Sequence, residues 1–114
     1  MTTMIYHIKD FTQSLRASQI KSITVRDLIE KYHHVATVDT SNLETAYTLT
    51  NSIDRWWGEN DGLKFHGSHE HGMAGCRSTS VGDIAVVGTE QADGSTKYET
   101  FLVAMCGFTK IQEV

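Results

Sequence analysis

The sequence predicts an α+β fold: a small single domain over residues 1–114, in which two helices pack on an antiparallel sheet with a C-terminal β-hairpin. Two segments in the first half repeat apolar residues at helical spacing, each after residues that cap helices. The last third has apolar and alternating runs on either side of an Asp-Gly pair, which is typical of a hairpin. The length suits one domain with its own core.

A short strand is predicted over Met4 to Ile8, followed by an irregular stretch or short helix. The first clear helix is expected to start after the N-cap candidate Thr24 and to run from Val25 to His33. Its apolar residues recur on one helical face, at Val25, Leu28, Ile29 and Tyr32. A brief buried strand over Val35 to Val38 follows.

The second helix is predicted over Asn42 to Ser52. Ser41 and Glu44 fit a capping box, in which each side chain bonds the other's backbone amide. After this helix the residues from Gly58 to Gly75 are mostly Gly, Asn, Asp, His and Ser, so we expect a long loop there.

The hairpin is predicted over Ile84 to Cys106. An apolar run from Ile84 to Val87 predicts a buried strand, and the residues from Tyr98 to Cys106 alternate as a second one. The predicted core is drawn from both helices and both strands: Leu28, Ile29, Leu43, Tyr47, Ile84, Val86, Phe101 and Val103.

Composition argues against several classes of protein. The net charge is −4 and the basic residues are scattered, so we expect no direct nucleic-acid binding. The sequence has neither a long apolar stretch nor a signal-peptide pattern, which predicts no membrane association. Cys76 and Cys106 are expected to be reduced thiols, as in a cytoplasmic protein.

A histidine-rich interval offers weak candidates for metal ligands: His66, His69, His71 and Cys76. Imidazole and thiolate are ligands that zinc prefers, but the spacing fits no established zinc pattern. We therefore favour a polar loop with no ligand and expect no cofactor. Zinc binding, or hydrolytic chemistry centred on these residues, remains the alternative.

Two adjacent tryptophans follow the second helix. Adjacent side chains at a helix end do not both point inward, so we expect one indole in the core and the other at the surface. Trp and Arg are enriched at interface hot spots. The predicted partner-binding residues are Arg55, Trp56, Trp57, Glu59 and Asn60.

The stretch from Arg77 to Asp83 precedes the hairpin. We interpret it as structural: Gly82 at positive φ in a tight turn, and Ser78, Ser80 and Asp83 bonding nearby backbone. Arg77 is expected to pair with Asp83. The spacing and the missing Lys exclude a P-loop.

Three stretches carry a resemblance to a known group of proteins: Leu49 to Asn60, Arg77 to Ile84, and Phe101 to Phe108. They resemble small accessory proteins of phages, plasmids and actinobacteria, and the last third looks like the YodL-like domain of mobile elements. The resemblance covers about Asn42 to Ile111, and its most specific part is the Arg-Ser-Thr-Ser-Val-Gly-Asp heptapeptide. It implies a bacterial host cytoplasm and an accessory role such as blunting host defences, with no agreed catalytic residues.

These observations favour a binding module over an enzyme. The hypothesis is a phage or mobile-element accessory protein that binds a host protein, most concretely an inhibitor of a bacterial defence system such as an anti-CRISPR. The alternative is the metal-binding or hydrolytic protein centred on His66, His69, His71 and Cys76.

Overall fold

The structure is a computed structural model that describes residues 1–51, 57, 60–66, 78–104 and 107–113. Its strands are β1 (Thr2–Ile8), β2 (Ser22–Ile23), β3 (Tyr32–Val38), β4 (Leu63–Phe65), β5 (Ile84–Glu90), β6 (Thr96–Ala104) and β7 (Gly107–Glu113). Its helices are α1 (Ser14–Ala17), which follows a 3-10 turn at Phe11–Gln13, α2 (Val25–Lys31) and α3 (Leu43–Leu49). The predicted α+β fold class is confirmed.

The strands form one sheet in the order β2-β7-β6-β5-β1-β3-β4. All these pairs are antiparallel except β2 with β7, so the sheet is mixed, whereas the sequence predicted an antiparallel one. The predicted hairpin is present: β5 and β6 pair from Ile84 opposite Leu102 to Glu90 opposite Thr96. Gly94 in its turn has φ 88°. β7 then extends the sheet beyond β6.

The sheet carries apolar side chains on both faces because β1 and β5 lie in its interior. One face packs under α1 and α2, with a core of Ile8, Ala17, Ile23, Leu28, Tyr32, Ile84, Val86, Leu102 and Ile111. The other packs under α3 and Trp57, with a core of Ile5, Val35, Ala36, Val38, Ala46, Trp57 and Ala85. A strand between two buried faces needs apolar side chains at successive positions, which explains the continuous apolar run from Ile84 to Val87.

A β-bulge in β3 changes which side chains face each side. Ile5 pairs with Ala36 and Tyr6 pairs with His34, so Val35 is the extra residue. Val35 and Ala36 both join the core under α3. Consequently His34 lies beside Tyr6, and the two rings stack with centroids 4.8 Å apart.

The predicted face of α2 is wrong. Leu28 is buried, but Val25 is 50% and Ile29 69% exposed. Thr24 is the N-cap as predicted, accepting a 3.0 Å hydrogen bond from the Asp27 amide. The helix ends at Lys31, before the predicted His33, and Tyr32 is buried as the first residue of β3. A helix this short packs against the core through one residue. The helical spacing of its four apolar residues therefore does not define its buried face.

The second helix begins one residue later than the capping box predicted. Asn42 is the N-cap, and its side-chain oxygen accepts a 2.9 Å hydrogen bond from the Thr45 amide, so Ser41 does not cap. The helix ends at Leu49. The loop predicted over Gly58 to Gly75 contains β4, which pairs with β3.

The predicted core is correct for four residues: Leu28, Ile84, Val86 and Val103 are buried. Three others are half-buried, namely Leu43, Tyr47 and Phe101. The Tyr47 ring packs edge-to-face against the Phe108 ring, with their centroids 6.0 Å apart. Ile29 is exposed, as described above.

Gly82 has φ 93°, as its place in the turn before β5 predicted. A side chain at this φ is strained, so Gly82→Ala should lower the free energy of unfolding by about 1 kcal/mol or more. Gly82→Asn should cost less, because Asn tolerates positive φ better than Ala does. Urea melts of the two variants measure this, and an Ala variant as stable as the wild type would contradict it.

Candidate functional site

The carboxylate of Asp83 is fully buried beside the end of β1. Its Oδ1 accepts a 2.9 Å hydrogen bond from the Ile8 amide, and its Oδ2 accepts one of 2.8 Å from the Ser80 amide. Its backbone oxygen accepts from the Val103 amide, and the Gly82 amide donates to the Val103 carbonyl. Asp83 thus connects three segments: the end of β1, the turn before β5, and β6.

A chain of hydrogen bonds begins at His7 in the same place. His7 Nε2 lies 2.9 Å from Thr79 Oγ1 and 3.8 Å from Asp83 Oδ2. The Thr79 hydroxyl donates to Thr50 Oγ1 at 2.7 Å, and Thr50 donates to the Ala46 carbonyl at 2.9 Å. Because each hydroxyl in this chain gives its proton to the next group, His7 Nε2 carries a proton and donates to Thr79. We call His7, Thr50, Thr79 and Asp83 the buried polar centre.

Histidine, threonine and aspartate are residue types of a nucleophilic triad, but this geometry is not that of a triad. Thr79 and Asp83 both approach the same ring nitrogen, Nε2 of His7. A triad needs the nucleophile on one nitrogen and the orienting carboxylate on the other. All members of the centre are at most 2% exposed. The arrangement holds the fold together.

The residues of the Arg77 to Asp83 heptapeptide therefore contribute to the turn in different ways. Ser80 and Asp83 contribute hydrogen bonds, Gly82 contributes its φ, and Ser78 is half-buried. Arg77 and its predicted pairing with Asp83 lie outside the described residues. Sequence reasoning missed His7, Thr50 and Thr79. One signal could have indicated a buried His7: it alternates with Thr3 and Ile5, so it lies on the same side of the predicted strand as Ile5.

Trp57 is a core residue, 1% exposed. Its indole meets the His7 ring edge-on at 6.1 Å and the Phe65 ring at 5.6 Å. It is therefore not an exposed contact for a partner, which corrects its place among the partner-binding candidates. Asn60 is half-buried and donates to the Leu49 carbonyl at 2.8 Å. The predictions for Arg55, Trp56 and Glu59 fall outside the described residues.

Tyr32 connects the core under α2 to the turn that precedes β5. Its hydroxyl donates to the Gly82 carbonyl at 3.2 Å. Burial raises the pKa of Tyr32 to about 12, and the negative charges of Asp83 and Asp27 add to the effect. The phenol is neutral at physiological pH.

A pocket of about 520 Å³ opens on the α2 side of the sheet, between the end of β1, α1, β2 and α2. Its floor is apolar, formed by Ile8, Ala17, Ile20, Ile23 and Tyr32. Its rim is charged, formed by Lys9, Asp10, Arg16, Asp27, Glu30 and Lys31. Small-molecule pockets span roughly 300–1,000 Å³, so this one is large enough to bind a ligand group.

The charges of the rim are only partly paired. Lys31 forms an ion pair with Asp27 at 3.4 Å, and Arg26 forms one with Glu30 at 3.0 Å. Asp10 accepts from the amide and hydroxyl of Thr12. Lys9 and Arg16 form no ion pair with the described residues. The pocket therefore combines an apolar floor with available positive charge.

Two histidines lie together where β3 meets β4. The ring centroids of His34 and His66 are 4.6 Å apart. Burial and the neighbouring His66 lower the pKa of His34. Among the metal-ligand candidates only His66 is described; His69, His71 and Cys76 fall in the part of the chain left undescribed. Within the described residues, groups of three or more His, Cys, Asp or Glu arranged for a metal are absent.

No protein-family model, curated protein or solved structure matches this chain. None of the described helices is long and apolar enough to cross a membrane.

Asp83→Asn should lower the free energy of unfolding by about 2 kcal/mol or more, because the amide nitrogen cannot accept a backbone proton in place of a buried carboxylate oxygen. Asp93→Asn is the matched control: Asp93 also accepts bonds from a nearby residue, Ser95, but is exposed. It should change stability little. Chemical denaturation of both variants measures the difference. Equal effects would contradict the role given to Asp83.

Tyr32 should make the fold sensitive to alkali. Its folded pKa of about 12 exceeds the ordinary value of 10, so its contribution is complete below pH 10 and is lost as the pH approaches 12. The full loss amounts to about 2 to 3 kcal/mol. Urea melts of the wild type and Tyr32→Phe between pH 9 and about 12 test this. The stability advantage of the wild type should shrink with rising pH, and a constant difference would contradict it.

Proposed function

We propose that this chain is a binding module, a phage or mobile-element accessory protein that acts by contacting a host protein. The observation that supports this proposal is an exposed apolar pair on α2 close in sequence to a charged-rim pocket. Its most concrete form, an inhibitor of a bacterial defence system such as an anti-CRISPR, depends on the sequence resemblance alone.

Val25 and Ile29 are one helical turn apart on α2 and are 50% and 69% exposed. The same helix supplies Asp27, Glu30 and Lys31 to the pocket rim. The pair and these rim residues lie on opposite sides of the helix, because about 3.6 residues make one turn. We call the pair and the pocket, on the two sides of this helix, the α2 surface. Exposed apolar side chains are typical of interaction sites.

Charge indicates the kind of partner group that suits this surface. Lys9 and Arg16 lie on the rim and form no ion pair within the described chain, while the acidic rim residues have partners. A suitable partner has an apolar side chain next to a carboxylate. The apolar side chain would be buried on the pocket floor, and the carboxylate would pair with these cations.

This proposal moves the expected contact away from Trp57, which is buried. The contact predicted at Arg55 and Trp56 remains a separate prediction on another part of the chain. Both are proposed sites for binding a protein, so one experiment compares them.

The test captures partners from a bacterial lysate on the immobilised chain, purifies the captured protein and measures its affinity for variants. Val25→Ser with Ile29→Ser should weaken binding at least tenfold, or about 1.4 kcal/mol, while the fold is retained. Serine has nearly the helix propensity of isoleucine, so α2 is kept. Arg16→Gln should weaken binding and reduce its dependence on salt.

Tyr98→Thr is the control, since Tyr98 is also a large exposed apolar side chain, 59% exposed, but lies on the β5–β6 hairpin. It should bind as the wild type does. If Trp56→Ala weakens binding and the α2 variants do not, the α2 surface is wrong. If all variants bind a captured protein alike, both proposed sites are wrong. If no protein is captured, the proposed function is wrong.

A further inference from the structure

We propose that the protein partner binds as an extended segment, which adds a strand to the open edge of β2 and places an apolar side chain in the neighbouring pocket. This inference rests on the proposed function, since it states how a host protein would use the pocket. The observation that carries it is the direction of the backbone hydrogen bonds of β2, which leaves Ser22 facing away from the sheet.

β2 lies at one end of the strand order, next to β7. The two strands are parallel, and they pair Ser22 with Gln112 and Ile23 with Glu113. The Gln112 amide donates to the Lys21 carbonyl at 3.3 Å. The backbone of Lys21 is therefore directed towards β7.

Successive residues of a strand direct their backbone groups to opposite sides. Because Lys21 bonds towards β7, Ile23 does so as well, and the amide and carbonyl of Ser22 point outward. Within the described residues, neither of these two groups of Ser22 forms a hydrogen bond. Ser22 is also exposed. This edge therefore offers one donor and one acceptor to an incoming strand.

The pocket reaches this edge, because Ser22 and Ile23 form one of its walls. Side chains of an added strand point alternately to its two faces, so a residue beside the one that pairs with Ser22 can enter the pocket. Two backbone bonds alone give little affinity. Burial of an apolar side chain on the pocket floor supplies the larger part.

The charges of the rim indicate the composition of the segment. Lys9 and Arg16 are exposed there and form no ion pair within the described chain. Two of the acidic rim residues, Asp27 and Glu30, already have basic partners, and Asp10 accepts hydrogen bonds within its own turn. An acidic residue beside the apolar one would pair with a free cation. The segment is therefore extended, with an apolar residue flanked by Asp or Glu.

Ser22→Pro tests the backbone pairing, because proline lacks the outward amide hydrogen and leaves the bonds to β7 in place. Ser22→Ala is the matched control, since it removes the hydroxyl and keeps the amide. The probe is the captured host protein, purified as in the preceding test. Ser22→Pro should weaken its binding roughly 5- to 10-fold, and Ser22→Ala should bind as the wild type does. Thermal melts check that both variants fold.

Amide hydrogen exchange of the wild-type chain measures the same contact without a substitution. Binding of the host protein should protect the Ser22 amide from exchange. The Lys110 amide is the control: it lies two residues before Gln112 on β7, so it also points out of the sheet, but Lys110 does not line the pocket. Its exchange should not change. This measurement decides the question if Ser22→Pro does not fold.

Overlapping synthetic peptides that cover the captured protein identify the segment. One of them should compete with the whole protein and contain an apolar residue beside Asp or Glu. Replacing that acidic residue by its amide should weaken binding to the wild type. It should weaken binding to Arg16→Gln less, because that variant lacks one of the cations.

The outcomes separate the two proposals. If no protein is captured, the proposed function is wrong, and the added strand with it. If a protein is captured and the α2 variants weaken its binding, but the Ser22 amide stays unprotected or no peptide competes, the added strand is wrong and the proposed function stands. Equal losses for Ser22→Pro and Ser22→Ala would indicate a contact with the hydroxyl and would also overturn the added strand.

Discussion

A carboxyl group withdrawn from water is costly unless donors surround it, and Asp83 has 0% exposure. Its donors come from different parts of the chain: the amide of Ile8 at the end of β1 and the amide of Ser80 in the turn before β5. Moving either segment would break one of these bonds. The side chain of Asp83 therefore adds to the backbone pairing of β1 with β5 and fixes where the turn before β5 lies against the end of β1.

The same centre fixes α3. The Thr79 amide donates to the Thr50 carbonyl at 2.9 Å, and Thr50 is the C-cap of α3. The side chain of Asn51 donates to the Thr79 carbonyl at 2.8 Å and to the Tyr47 hydroxyl at 3.0 Å. A seven-residue helix is too short to be stable alone. Its C-terminal end is held by polar bonds, and its middle by the burial of Ala46.

Sequence patterns predicted the elements whose signal is local. The hairpin followed from alternation and the Asp-Gly turn, and Thr24 followed from the preference of helix starts for hydroxyls. β4 was missed because three residues in a polar interval carry too little pattern. The face of α2 was wrong because the periodicity gives an apolar side but not the number of residues that reach the sheet.

The sites depend on contacts between distant residues, and these were not predictable. His7 and Thr79 are far apart in sequence, so neither residue type indicated a partner. Likewise His34 meets His66 because the bulge at Val35 sets the side of the sheet on which His34 lies. Nothing in the sequence around Val35 indicates a bulge. Gly82 was the exception, since the tight turn expected before the apolar strand required its positive φ.

The pairing of β2 with β7 joins Ser22 to Gln112 and Ile23 to Glu113. β2 also forms a wall of the pocket, through Ser22 and Ile23. All the residues that line the pocket are made early in synthesis, but β2 has no strand to pair with until β7 has left the ribosome. The pairing of β1 with β5 joins residues almost as far apart in sequence. Both the central sheet and the pocket wall on β2 therefore wait for the last third of the chain, and contacts this distant slow folding.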